Sequence, residues 1–116
     1  MNFLITGGAG FIGSNIAKRL VRDGESVRII DNFSTGKRNN IDEIKDKIDL
    51  IEGDIRDTES VLKAVKDVDF IIHQAALPSV PRSIKDPITA NDVNVTGSLN
   101  LLNAAKNSKI KRFVYV

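Results

Sequence analysis

The chain has 116 residues, with 17 Lys+Arg against 15 Asp+Glu, 41% hydrophobic residues and no cysteine. That length supports one core and excludes a second complete domain, and a charge of +2 spread along the chain gives no electrostatic footprint for nucleic acid or an anionic membrane. Without cysteine there is no disulfide framework, thiolate metal site or thiol nucleophile, and a soluble, cytoplasmic protein is the simplest expectation.

The first unit is a strand over Asn2–Thr6, a glycine cluster, and a helix carrying Ile12, Ile16, Leu20 and Val21 at helical spacing. That helix is expected to end at Asp23-Gly24, followed by a second strand over Val27–Ile30 and a turn-rich Asp31–Gly36. Asn40 is read as opening a short helix with Glu43 as its capping-box partner. A third strand covers Ile48–Ile51, a helix Thr58–Lys66 buries Val61, Leu62 and Val65, and a fourth strand covers Phe70–His73. A connection from Ala75 to Thr89 holds Pro78, Pro81 and Pro87. It exceeds the usual length of about 4–6 residues and so reads as functional. A long helix from Ala90 to Lys106 and a fifth strand from Arg112 to Val116 complete the pattern. Strands separated by helical crossovers demand a parallel sheet with right-handed connections. The expected fold class is therefore α/β: a Rossmann-type doubly wound parallel sheet with five strands in order 3-2-1-4-5. A ligand should lie over the carboxyl ends of strands 1 and 4, where the order reverses.

The strongest motif is Thr6-Gly7-Gly8-Ala9-Gly10-Phe11-Ile12-Gly13, which holds both G-x-x-G-x-x-G and G-x-G-x-x-G. It follows a strand and opens an amphipathic helix, the context in which such a turn cradles a pyrophosphate. Glycine lets the backbone approach the phosphates, and the helix start supplies free N–H groups and partial positive charge. Asp31 lies 18 residues after Gly13, near the offset of about 20 at which a carboxylate bonds the adenosine ribose hydroxyls. Its charge would repel a 2′-phosphate, so NAD is favoured over NADP. The alternative is a turn-forming aspartate. Lys37 and Arg38 nearby are either a solvated loop or candidates to meet a 2′-phosphate.

The blocks TGGAGFIGS, DNFSTGK, EGDIRD, HQAALPSVPRS and NVTGSLNLL resemble the extended short-chain dehydrogenase/reductase family, in particular nucleotide-sugar epimerases of the UDP-glucose 4-epimerase type. The resemblance covers the whole chain. It implies NAD as cofactor, with Gly7, Gly10, Phe11, Ile12 and Gly13 around the pyrophosphate and Asp31, Asn32, Ser34, Thr35 and Gly36 around the adenosine ribose. Asp54 and Ile55 would flank the adenine, Ala75, Ala76 and Leu77 would line the nicotinamide side, and Asn94 would sit in the central helix beneath the active site. For Asp54 a helix cap competes with the adenine contact, and Asp57 is a second candidate for that cap. His73, the sole histidine, is read as structural, since no partner for acid/base or metal chemistry is spaced near it. Asn94 has the alternative of a tolerated polar residue on an apolar helix.

The family's chemistry also requires a Ser/Thr beyond strand 5 and a Tyr-x-x-x-Lys helix, in which the tyrosinate takes a hydroxyl proton. Tyr115, the only tyrosine, has no residue four places on. Residues 1–116 therefore read as the NAD-binding N-terminal half of an enzyme truncated after strand 5, without catalytic residues of its own and without the sugar-binding domain. The parent would be a nucleotide-sugar epimerase acting by hydride transfer to and from NAD. A 4,6-dehydratase or decarboxylase of the same family, or a non-catalytic dinucleotide-binding sensor or scaffold, are the alternatives. The apolar fifth strand, left at a sheet edge, is a template for a second chain, so a homo-oligomer through strand 5 is expected.

Overall fold

A computed structural model describes residues 1–34, 36–74, 88 and 92–115. The strands are β1 (Asn2–Thr6), β2 (Ser26–Asp31), β3 (Ile48–Glu52), β4 (Phe70–His73) and β5 (Arg112–Tyr115), all parallel and ordered β3-β2-β1-β4-β5 as the sequence predicts. The α-helices are α1 (Phe11–Arg22), α2 (Thr58–Val65) and α3 (Gly97–Lys106).

Strand alternation divides the core in two. Ile5, Val27 and Ile29 pack with Ala17 of α1 and with Ile41 and Ile44 on one face of the sheet. Leu4, Ile30 and Ile71 pack with Val61, Ala64 and Val65 of α2 and with Leu101 and Ala104 of α3 on the other. Leu4, Ile5, Ile29 and Ile71 are all fully buried, each contributing about 2 kcal/mol of apolar transfer to folding. Arg28 is the polar fastener of this layer. Its guanidinium donates to the carbonyls of Ala64 (2.9 Å) and Lys66 (2.7 Å), which terminate α2, and its Nε donates to Asp49 (2.8 Å).

Three expectations are corrected. Leu62, expected to be buried with Val61 and Val65, is exposed, and Ala64 takes the core position instead. The helix read as opening at Asn40 is a pair of 3-10 segments, Arg38–Asn40 and Asp42–Lys47, and neither has a side-chain cap. The Asn40 amide is drawn away instead, donating to the Ala9 carbonyl at 2.8 Å. The long final helix is also not uniform. Asp92–Thr96 forms a π-helical turn before α3 begins at Gly97. Widened turns of this kind recur at functional sites. No helix among the described residues is long and apolar enough to cross a membrane.

Candidate functional site

β1 delivers the chain to the glycine turn at the reversal of strand order. Gly7 has φ +68°, a left-handed conformation that a side chain would strain. Its N–H donates to the Ile30 carbonyl at 2.9 Å, so the turn stays tied to β2. Gly13 sits against the turn it follows: a Cβ there would lie 2.5 Å from the Gly7 carbonyl oxygen and 3.0 Å from the Gly8 Cα. The helix start therefore presses directly on the backbone of the turn. Gly10 occupies the N-cap position, and no side chain caps α1. The N–H groups of Phe11, Ile12 and Gly13 are thus left for solvent or an anion, in a first turn that carries no acidic residue. Phe11 and Ile12 expose their side chains while offering these amides.

Asp31 ends β2 with its carboxylate buried at 8% exposure. Its Oδ2 accepts the Ala9 N–H at 2.9 Å and its Oδ1 accepts the Phe33 N–H at 2.7 Å. The carboxylate is thus bolted to the glycine turn on one side and to its own loop on the other. The Ala9 carbonyl accepts from the Lys37 N–H (3.1 Å) and the Asn40 amide (2.8 Å), so Ala9 is held at both of its polar groups. Gly36 closes this corner: a Cβ there would fall 2.9 Å from the Ala9 Cβ and 3.0 Å from Asp31 Oδ2. In the same loop the Ser34 N–H donates to Asn32 Oδ1 at 3.0 Å.

The Asn32 amide donates to Asp54 Oδ2 at 3.0 Å, which joins the β2 loop to the turn after β3. Asp54 also accepts the Arg56 N–H (2.9 Å) and its guanidinium, with a shortest contact of 2.6 Å. The Arg56 guanidinium holds the Asp54 carboxyl below its usual pKa. Asp54 therefore does not cap α2. Asp57 takes the N-cap position, and its carboxylate accepts the Ser60 hydroxyl at 2.7 Å. Ile55 differs from expectation in its side chain, which is buried in the core, so only its backbone remains to meet a ligand. A Cβ on Gly97 would lie 2.5 Å from that side chain, so α3 must begin with glycine to pack here. Asn100 of α3 donates to the carbonyls of Ile55 (3.0 Å) and Arg56 (3.2 Å), fixing the Asp54–Arg56 turn from below.

On the β4 side the organising residue is His73, 3% exposed. The Ser98 hydroxyl donates to the Asn94 carbonyl at 2.7 Å, so it can only accept from His73, whose Nε2 lies 2.7 Å away and must carry the hydrogen. Nδ1 is then an acceptor, and the Thr6 hydroxyl donates to it at 2.6 Å. The Thr6 oxygen in turn accepts the Gln74 N–H at 3.0 Å. Burial pushes the imidazole pKa down to about 4, so this neutral tautomer is the form near neutral pH. Phe113 and Tyr115 of β5 set ring edges on it at centroid distances of 6.0 and 5.3 Å. His73 is structural, as read, and the chain of bonds from β1 through β4 to α3 ends on the π-helical turn that carries Asn94.

Most of the residues expected at the site therefore lie near one another at the reversal of strand order. Gly7, Gly10, Phe11, Ile12 and Gly13 form the turn and helix start, and Asp31, Asn32, Ser34, Gly36 and Asp54 are linked beside it. Asn94 is set apart, half-buried at the far end of the His73 relay. Thr35, Ala75, Ala76 and Leu77 lie outside the described residues. Residues not anticipated are Thr6, Asn40, Gly97, Ser98 and Asn100. Each acts through a partner distant in sequence, so no local spacing announces it. Among the described residues no group of His, Cys, Asp and Glu converges as a metal site.

A glycine turn packed tightly against the helix that follows it, uncapped amides at that helix start and a carboxylate locked beside them suit a dinucleotide. Comparison with known proteins agrees. The family model for the NAD dependent epimerase/dehydratase family matches residues 3–116. The UDP-glucose 4-epimerase of Lactobacillus helveticus is 39% identical over 117 residues, which cover 99% of this chain and 34% of that protein. Among solved structures, the UDP-glucose 4-epimerase of Thermus thermophilus in complex with NAD superposes with a TM-score of 0.89 at 40% identity, covering 97% of this chain and 36% of that one. The dTDP-glucose 4,6-dehydratase of Streptomyces venezuelae does so with 0.91 at 32% identity, covering 97% and 38%. The chain thus spans little more than a third of the length of these relatives. It belongs to the NAD dependent epimerase/dehydratase family.

Proposed function

We propose that residues 1–116 are the NAD-binding part of a nucleotide-sugar epimerase of the UDP-glucose 4-epimerase type. The observation that carries this reading is the Asp31 carboxylate, bonded to the Ala9 amide of the same turn whose next residues offer Phe11, Ile12 and Gly13 N–H groups. One buried contact fixes the distance between a ribose-binding carboxylate and a pyrophosphate cradle. The helix start neutralises the pyrophosphate, Gly13 lets that helix press onto the turn, and Asp31 accepts ribose hydroxyls. Asp54 and the Ile55 backbone flank the adenine. The bound nicotinamide would supply hydride acceptance from a sugar hydroxyl and hydride return. Ala75, Ala76 and Leu77 would line its side of the site, and Asn94 would lie beneath it.

Proton transfer in this reading belongs to a Tyr-x-x-x-Lys pair, which the sequence does not contain. Tyr115 is committed to β5, and His73 is neutral and bonded at both nitrogens. Residues 1–116 by themselves should therefore bind NAD more tightly than NADP and leave UDP-glucose and UDP-galactose unchanged. Calorimetric titration tests the first statement and a coupled epimerisation assay the second. Equal or better affinity for NADP, or turnover above the blank, would overturn them. A second reading, a nucleotide-sugar 4,6-dehydratase or decarboxylase, is favoured by the likeness to the Streptomyces venezuelae dehydratase, which matches over the same residues. Assaying a full-length form with UDP-glucose, UDP-glucuronate and dTDP-glucose separates the two.

Self-association belongs to the same proposal. β5 is an edge strand on which Val114 is 42% and Tyr115 62% exposed. Such an edge pairs readily with another copy. Light scattering should show a mass above one chain at micromolar concentration, reduced by Val114→Lys. A monomer for the unsubstituted chain would contradict this.

A further inference from the structure

The Arg38 cation near the carboxyl end of β2 is exposed but has two partners. The Arg38 guanidinium lies 4.2 Å over the Phe33 ring, and its Nη2 donates to Glu52 Oε1 at 2.6 Å. Phe33 has φ +59°, a left-handed conformation rare for a bulky residue, and the Asp31 carboxylate that accepts its N–H helps to hold it there. Glu52 ends β3 as the register partner of Asp31, and the next amide, Gly53 N–H, donates to the Asp31 carbonyl at 3.1 Å. Arg38 therefore bridges from the residue bonded to Asp31 on one side to the residue paired with Asp31 on the other.

An arginine near this carboxylate is the group that accommodates a 2′-phosphate in NADP-binding relatives of the fold, because its fork of donors matches phosphate oxygens. Here one nitrogen of the fork is bonded to Glu52 and its face lies over Phe33. We propose that Glu52 is a specificity-determining residue, which holds Arg38 in an ion pair and so denies the 2′-phosphate of NADP its guanidinium. Selection of NAD is then shared by two carboxylates: Asp31 repels the phosphate and Glu52 engages a cation placed to compensate. The inference rests on the reading of the site as a dinucleotide cradle. Arg38 and Glu52 are 57% and 61% exposed in their side chains, so the pair is intrinsically weak and the expected effect modest.

The experiment is calorimetric titration of NAD and of NADP into the 116-residue chain, Glu52→Gln, and Glu52→Gln combined with Arg38→Ala. Glu52→Gln should tighten NADP binding about fivefold at low salt and leave NAD affinity within about twofold, the scale of one exposed ion pair. Adding Arg38→Ala should remove the gain. If NAD binds and the NAD-to-NADP ratio is the same in Glu52→Gln, or if the gain survives without Arg38, Glu52 does not act in this way although the cradle stands. Failure of all three proteins to bind either nucleotide overturns both statements.

Discussion

The two flanks of the strand-order reversal are built on different principles. On the β2 side the geometry is made by backbone: Gly7 at positive φ, Gly13 pressed onto the preceding turn, and amides bonded to the Asp31 carboxylate. On the β4 side it is made by side chains, with Thr6, His73 and Ser98 in a buried chain of hydrogen bonds that ends on the Asn94 carbonyl. The first flank leaves donors unused at the helix start, which suits it to a ligand. The second consumes the bonding capacity of its central imidazole, which suits it to rigidity.

Breaking the backbone flank should have the largest effect. In Gly13→Ala the new Cβ meets the Gly7 carbonyl oxygen, a backbone atom that cannot swing aside. A loss of about 3 kcal/mol in urea denaturation is expected, with NAD binding abolished. Unchanged stability and affinity would show that the turn has slack.

The side-chain flank is broken by acid. Above pH 6.5 His73 is neutral in both folded and unfolded chain. Between 6.5 and about 4 the unfolded chain takes up a proton that the buried imidazole refuses. Stability should therefore fall as pH drops through this window, by up to about 3 kcal/mol, and His73 adds nothing further below it. Asp54 acts in a lower window: its pKa is depressed, so its contribution is present above 3.8 and lost as pH falls further. Because the chain has one histidine, imidazole nitrogen shifts report this directly. The Nε2–H tautomer should persist to below pH 5. A titration near 6.5 would mean that the relay opens to water.

The glycine spacing, the strand order and the Asp31 offset were legible in the sequence because each is local or follows from element succession. The His73 relay was not. Thr6 and His73 are 67 positions apart, and His73 and Ser98 are 25 apart. No periodicity carries information over such distances. Asn40 shows a nearer failure, since Asn40 with Glu43 is a sound capping pattern. The Ala9 carbonyl, 31 positions away, is the partner the Asn40 amide takes. The burial of the Ile55 side chain was not legible either, because it depends on Gly97, 42 positions on, leaving a space for it in the core.

Two smaller substitutions sharpen the contrast. Asp31→Asn removes the charge from two backbone hydrogen bonds and should cost about 1–2 kcal/mol while narrowing the preference for NAD over NADP. An unchanged preference would remove Asp31 from cofactor selection. Asn100→Ala frees the carbonyls of Ile55 and Arg56 and should cost about 1 kcal/mol in urea denaturation, with weaker NAD binding through the Asp54–Arg56 turn. An effect on stability without one on affinity would detach that turn from the adenine.

The central claim is that the uncapped start of α1 receives the pyrophosphate of NAD. Titration of NAD into the isotope-labelled chain, followed by backbone amide shifts, tests it most directly. The amides of Phe11, Ile12 and Gly13 should move most, with those of Ala9 and Phe33 following as the Asp31 carboxylate engages the ribose, while His73 keeps its tautomer. Saturation with NAD that leaves Phe11, Ile12 and Gly13 unmoved would contradict the account.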